Sequence, residues 1–219
     1  RSQQAGEYVD WLKEEGLEAL HFGERPTTSI PLLLERSLAA LRAEAQAAFG
    51  VAGILALAPF GADAVAAALD IKPNAANRAL GELVDYGLLL RPDDSYQVTH
   101  ALAHSYARTQ AAPDGEAVNR LALYYAALAK TESAREIAGY AVLDDQRAHI
   151  VAVQAAALKA EQWDAVRQIT WNVEDYLDLQ GHFTDRQTII QAGLVAARAS
   201  NARYDEAEFL NRHGIACVA

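Results

Sequence analysis

The sequence predicts a mainly α-helical fold, in which a helical cluster closed by a short β-hairpin is followed by an array of stacked amphipathic helices. Apolar residues recur at three- and four-residue steps through most of the chain, which is the spacing of a helix face. Two short apolar runs, Leu88–Leu90 and Tyr96–Val98, flank the turn-forming residues 91–95 and predict the hairpin. Beyond residue 115, no segment firmly predicts a strand.

Residues 27–112 form the predicted cluster and hairpin. Thr28 and Ser29 offer an N-cap, Pro31 fits the first turn of the helix that follows, and Gly87 suits the end of a later helix. A helical cluster followed by a hairpin is the order of elements in a winged helix. The helices expected after the first one span Ala45–Leu57, Asp63–Leu69, Asn74–Tyr86 and His100–Thr109.

Residues 113–219 are predicted to be a helical linker and the first repeats of an array. Each amphipathic helix here has an apolar stripe that it cannot bury alone, and stacking as antiparallel pairs would bury it. We expect Asp144 or Asp145 to cap the second helix, and the loop from Asn201 to Tyr204 to lengthen the repeat. The five expected helices are Glu116–Thr131, Asp145–Ala160, Trp163–Gln180, Thr184–Ser200 and Asp205–Ala219.

One stretch of the array resembles a tetratricopeptide repeat. Gly181–Phe183, followed by Ile190 and Gly193, is similar to the second helix of that repeat, where small residues let two helices pack closely. Two positions depart from the pattern, because Arg186 stands where the repeat usually has alanine and Glu174 where it has glycine. An irregular helical bundle is the alternative.

Composition limits the partners and the compartment. The formal charge of -10 repels phosphate backbones and anionic lipid, so neither nucleic acid nor a membrane is an expected partner. The single cysteine, Cys217, fits a reducing compartment, and no apolar run approaches the length of a membrane span. We therefore expect a cytoplasmic protein. Because the chain starts at Arg1 and has no methionine, we also expect it to be a piece of a longer one.

A broader resemblance covers residues 28–110. The segments Ser37–Leu41, Leu57–Phe60, Leu80–Leu89 and Tyr96–Leu102 resemble the winged helix of NB-ARC proteins, a branch of the STAND signalling NTPases. The resemblance implies that residues 1–26 are the tail of a preceding small helical domain and that the parent protein binds ATP or ADP in a P-loop core. It also implies two partners, the nucleotide-binding domain of the same polypeptide and a protein or peptide ligand on the repeats.

The same resemblance singles out His100. In that family the histidine of a Met-His-Asp motif approaches the nucleotide phosphate and holds the resting state, and an imidazole can donate to a phosphate oxygen. His100 stands at the histidine position, but Thr99 replaces the methionine and Ala101 the aspartate. The alternative is a strand-end histidine that bonds to the local backbone.

Nothing in the sequence predicts catalysis by this chain. It contains no Gly-Lys pair, which a P-loop requires. Tyr140–Asp145 imitates a metal-binding strand but has no P-loop before it, and His100 and His104 have zinc spacing without the glutamate of a peptidase. His213 lies one helical turn before Cys217, with no orienting third group near it in sequence.

Two further functions remain open: a DNA-binding winged-helix regulator with a helical sensing tail, and a protein-interaction scaffold. DNA binding is disfavoured because the expected recognition helix offers Arg78 against Glu82 and Asp85, and the wing sets Asp93 and Asp94 beside Arg91. Aromatic residues of the array line either a ligand groove or, more simply, the seams between repeats. They are Trp163, Trp171, Tyr176 and Phe183.

Overall fold

The computed structural model describes residues 30–216. The expected domain tail (residues 1–26), the N-cap candidates Thr28 and Ser29, and the thiol of Cys217 lie outside the described residues. Within this range the mainly α-helical prediction is confirmed. The elements in chain order are α1 (Ile30–Ala39), α2 (Ala43–Ile54), α3 (Ala62–Leu69), α4 (Pro73–Asp85), β1 (Leu89–Leu90), β2 (Gln97–Val98), α5 (Ala101–Gln110), α6 (Gly115–Ser133), α7 (Ile137–Lys159), α8 (Trp163–Leu179), α9 (Phe183–Ala199) and α10 (Arg203–Ala216).

Helices α1 to α5 surround α2, whose central residues are buried on every side. Gly53 of α2 allows α5 to come close, because a Cβ atom built there would lie 2.6 Å from the backbone nitrogen of Arg108. Helix α4 ends as the sequence predicts, at Gly87 with a positive φ of 70°. The hairpin then pairs β1 with β2 in antiparallel register. A separate antiparallel bridge, with two backbone bonds between Phe60 and Tyr96, joins the loop before α3 to the residue that precedes β2.

Helices α7 to α10 follow one another with nearly identical turns. Glu161, Gly181 and Asn201, at a spacing of 20 residues, all have positive φ, and the residue after each donates its N–H to the carbonyl five residues earlier at 2.8 or 2.9 Å. This is the Schellman pattern of helix ends. The expected lengthening between Asn201 and Tyr204 is therefore wrong, because asparagine adopts the left-handed conformation there and the turn matches the two before it.

Helix α7 begins at Ile137, two turns earlier than the predicted start at Asp145. Asp144 and Asp145 lie inside the helix, so neither caps it. Gly139, in the part of α7 that the prediction left out, has a packing role: a Cβ atom there would overlap the backbone of Glu132 at the end of α6. The absence of a side chain thus lets α6 and α7 turn back on each other closely.

One hydrophobic core runs from Leu38 to Ala196, and it includes residues on both sides of the predicted domain boundary at residue 112. Helix α3 packs on α6, and the guanidinium Nε of Arg120 in α6 donates to the carbonyl of Ala68 in α3 at 2.8 Å. Burial between these helices joins the hairpin-bearing cluster to the array. No helix in residues 30–216 combines the length and apolarity needed to cross a membrane.

Candidate functional site

His100 is exposed at the N-terminus of α5, immediately after the hairpin. Its Nδ1 accepts the backbone N–H of Leu102 at 3.1 Å, so the side chain caps the helix. Within the described residues, Nε2 of His100 makes no hydrogen bond, and this tautomer has its proton there. The bond to Leu102 is the local backbone bond that the alternative interpretation expects. The Nε2–H group is left to donate to a phosphate.

The second histidine of the zinc-spaced pair bonds elsewhere. Nε2 of His104 lies 2.7 Å from the carbonyl oxygen of Leu55, on the loop after α2. His100 bonds locally instead, so the two side chains serve different purposes. Over residues 30–216, no three His, Cys, Asp or Glu side chains lie close enough to hold a metal ion.

The face expected to read DNA includes a mixture of charges. Glu82 of α4 accepts from the backbone N–H of Arg42 at 2.9 Å and from its Nε at 2.6 Å, which lowers the pKa of Glu82. Arg78 is exposed on the same helix, and the guanidinium of Arg91 lies over the ring of Tyr96, 5.3 Å from its centroid. Asp85, Asp93 and Asp94 stay exposed nearby, which keeps the surface unfavourable for phosphates.

Asp144, in the acidic pair that imitates a metal site, makes structural contacts with neighbouring helices. Oδ1 of Asp144 accepts from the hydroxyl of Tyr176 at 2.5 Å and lies 2.7 Å from Nε2 of His182. These bonds, that of Tyr176 first, lower the pKa of Asp144. The carboxylate therefore ties α7 to α8 and to the turn before α9. The pairing proposed between His213 and Cys217 involves a side chain outside the described residues.

Sequence reasoning missed His149, which lies wholly buried in α7. Its Nδ1 accepts the backbone N–H of Ala56 at 3.1 Å, and its Nε2 donates to the carbonyl of Pro59 at 2.9 Å. The edge of the ring meets the ring of Phe60. Burial lowers the pKa of His149, although the bond to Pro59 acts in the opposite direction. A neutral imidazole thus joins the array to the loop between α2 and α3.

The two departures from the tetratricopeptide pattern contact each other. Nε of Arg186 donates to Oε1 of Glu174 at 2.8 Å, and both side chains are buried. Arg212 of α10 pairs with the second carboxylate oxygen of Glu174, and also reaches Asp175 at 2.9 Å. One buried carboxylate therefore holds α8, α9 and α10 together. Opposite charges at two misfit positions 12 residues apart were the signal in the sequence.

The four aromatic residues of the array divide between seam and surface. Trp171 packs on Phe209, with ring centroids 5.1 Å apart, and Tyr176 is buried against Tyr140 at 5.5 Å. Trp171 and Tyr176 also line an open groove of about 450 Å³. Trp163 is half-buried against the core, whereas Phe183 is mostly exposed. Trp171 and Tyr176 thus lie in the seam between helices and also contribute to the wall of the groove.

A second hollow, of about 590 Å³, lies among α1, α2, α5 and α6. The charged groups on its wall include Glu35, Asp114 and Arg120. Asp114 caps α6 through the N–H of Ala117 at 2.7 Å, and Arg120 bonds to Ala68 and to Glu116. Asp114 and Arg120 therefore hold α6 in place, and this structural role explains why they lie in the wall of the hollow.

Comparisons of the chain with protein-family models, with curated proteins and with solved structures found no match.

Proposed function

We propose that this chain is the non-catalytic regulatory and sensor-coupling part of a STAND-type signalling ATPase. In this proposal, residues 27–112 are a winged helix that contacts the nucleotide-binding domain of the same polypeptide. Residues 113–219 are the opening repeats of a tetratricopeptide-like array that receives a protein or peptide ligand. ATP and ADP bind to the core of the parent protein, and the parent is cytoplasmic.

The observation that carries the proposal is the junction between the two parts. His149 bonds to both Ala56 and Pro59 from the array side, and Arg120 bonds to Ala68. A signal received on the array can reach the winged helix only if the two parts have defined contacts that differ between states. The hydrogen bonds of His149 and Arg120 supply the defined contacts that this coupling requires.

The proposed array has a period of its own. Equivalent turns at Glu161 and Asn201 define helical pairs of 40 residues, against about 34 in a tetratricopeptide repeat. Close packing persists nonetheless, since a Cβ atom on Gly193 would lie 2.5 Å from Oγ1 of Thr170. We propose a tetratricopeptide-like packing in which each helix is longer by about three residues.

The test requires the intact protein, including its proposed P-loop core. His100→Asn keeps an oxygen that caps α5 but removes Nε2, and it should release bound ADP faster. His182→Asn, at another histidine, should leave ADP release unchanged. Unaltered release from the His100 variant would remove this residue from the switch. A sequence upstream of Arg1 without Gly-x-x-x-x-Gly-Lys-Ser/Thr would overturn the proposal as a whole.

The purified chain can also be tested against DNA at low salt. A salt-dependent shift of duplex DNA would favour the DNA-binding regulator over the signalling switch.

A further inference from the structure

The groove of about 450 Å³ lies among α6, α7 and α8, which provide its walls. The end of α6 contributes Lys130, the first turns of α7 contribute Tyr140, and α8 contributes Trp171, Tyr176 and Leu179. We refer to this surface, with the neighbouring side chain of Ile137, as the Tyr140 groove. Ile137 and Leu179 are its exposed apolar side chains, whereas Trp171 packs on Phe209 and Tyr176 is buried.

The wall formed by α7 is an addition to the regular array. Helix α7 has 23 residues, whereas α8 and α9 have 17 each. Ile137 lies three residues before Tyr140 and so shares its face of the helix. The side chain of Ile137 is 84% exposed and that of Leu179 is 67% exposed. Exposed apolar side chains on two of the helices that form a groove favour a protein-binding surface.

Charge around the groove is mainly negative. Acidic side chains outnumber basic ones there; the acidic ones are Glu132, Glu136, Asp144, Glu174, Asp175 and Asp178, and the basic ones are Lys130, Arg135, Arg186 and Arg212. Arg186 and Arg212 are shared with the buried Glu174, so they leave Asp175 and Asp178 incompletely neutralised. The side chains of these two aspartates are 79% and 52% exposed, and both line the groove.

We propose that the Tyr140 groove binds a basic amphipathic segment of a partner protein. Apolar residues of that segment pack on Ile137, Tyr140 and Leu179, and its lysine or arginine residues face Asp175 and Asp178. This proposal gives the ligand of the array a chemical class. The consequence of such binding for signalling rests on the proposed function. Binding itself does not depend on that function, because it involves this chain alone.

The experiment measures binding of labelled helical peptides to the purified chain by fluorescence anisotropy. One probe is a leucine–lysine peptide of about 18 residues with helical spacing, and the other has glutamate in place of lysine. The double variant Ile137→Lys/Leu179→Lys places two cations on the groove. A matched variant, Val195→Lys/Leu210→Lys, adds the same charge at exposed apolar positions elsewhere on the array.

The lysine peptide should saturate, weaken as salt rises, and bind at least about tenfold more tightly than the glutamate peptide. The groove variant should lose about tenfold in affinity, while the matched variant stays within about twofold. Equal loss in both variants would show attraction to the overall negative charge and would overturn the proposal. Equal binding of the two peptides, or none at about 100 μM, would do the same. Failure here would leave ADP retention by the intact protein unaffected, so the two proposals fail separately.

Discussion

Replacing Glu174 by glutamine should destabilise the array, because it leaves the guanidinium of Arg186 buried without its main partner. The two side chains are 2% and 6% exposed. Removing one member of such a pair costs about 3–5 kcal/mol. Arg186 retains Asp178, at 3.5 Å and half exposed, so we expect the lower end of that range, about 3 kcal/mol. For a chain of this size the melting temperature should fall by about 6–12 °C.

Urea and thermal unfolding followed by circular dichroism measure the change, in a double-mutant cycle. The variant Glu174→Leu/Arg186→Leu removes both buried charges and leaves Arg212, which is 25% exposed, bonded to Asp175. It should be more stable than either single replacement, with a coupling energy of about 2 kcal/mol or more.

The exposed pair of Arg198 and Glu206, also joined at 2.8 Å, provides the control. Replacing Glu206 by glutamine should cost less than about 1 kcal/mol, because water already solvates both charges. If the Glu174 variant costs no more than this control, or if the two leucine replacements are simply additive, the electrostatic reasoning is wrong.

Three smaller predictions concern glycine packing, His149 of the array and His100 of the cluster. Gly193→Ala should lower the unfolding free energy by about 1–3 kcal/mol, since its Cβ would press on Thr170, whereas Gly81→Ala, in open space within α4, should raise it by about 0.5–1 kcal/mol. The free energy of unfolding should fall as the pH drops below about 6.5, because unfolding lets His149 take a proton that its buried site resists. The decrease should level off below the lowered pKa of His149 in the folded chain. His149→Gln should lose this pH dependence, measured by urea titrations at about pH 5.5 and 7.5. His100→Ala should cost about 1 kcal/mol through its lost cap and His100→Asn almost nothing, and equal losses in thermal melts would contradict the capping role.

The fold was predictable where apolar spacing is regular and turn residues are explicit. Helix α8 begins at Trp163 as expected, and Gly87 ends α4 with a positive φ. The start of α7 was not predictable, because Gly139 resembles a break in the sequence and acquires its packing role only when α6 lies against it. Asn201 was misjudged for a related reason: its left-handed conformation matters only in comparison with Gly181.

The site was less accessible to sequence reasoning than the fold. His100 was singled out through a family resemblance, and the alternative of a local backbone bond did not specify that its Nδ1 caps α5. His149 lies within a helical pattern, and its partners Ala56 and Pro59 are about 90 positions away in the chain. Only tertiary packing creates such a site. The contact between Glu174 and Arg186 could be predicted only once the packing of α8 against α9 was known.

The Tyr140 groove and the junction with the cluster share two helices. Along α7, Tyr140 lines the groove and His149 bonds to the loop of the cluster, nine residues or about 13 Å further on. Along α6, Lys130 lines the groove and Arg120 bonds to α3, at a similar separation. A segment bound between the ends of α6 and α7 would therefore act on both helices that hold the cluster. A packed helix moves as a rigid element. A small change in the angle between α6 and α7 at the groove would therefore have to be accommodated at His149 or Arg120, where the array meets the cluster.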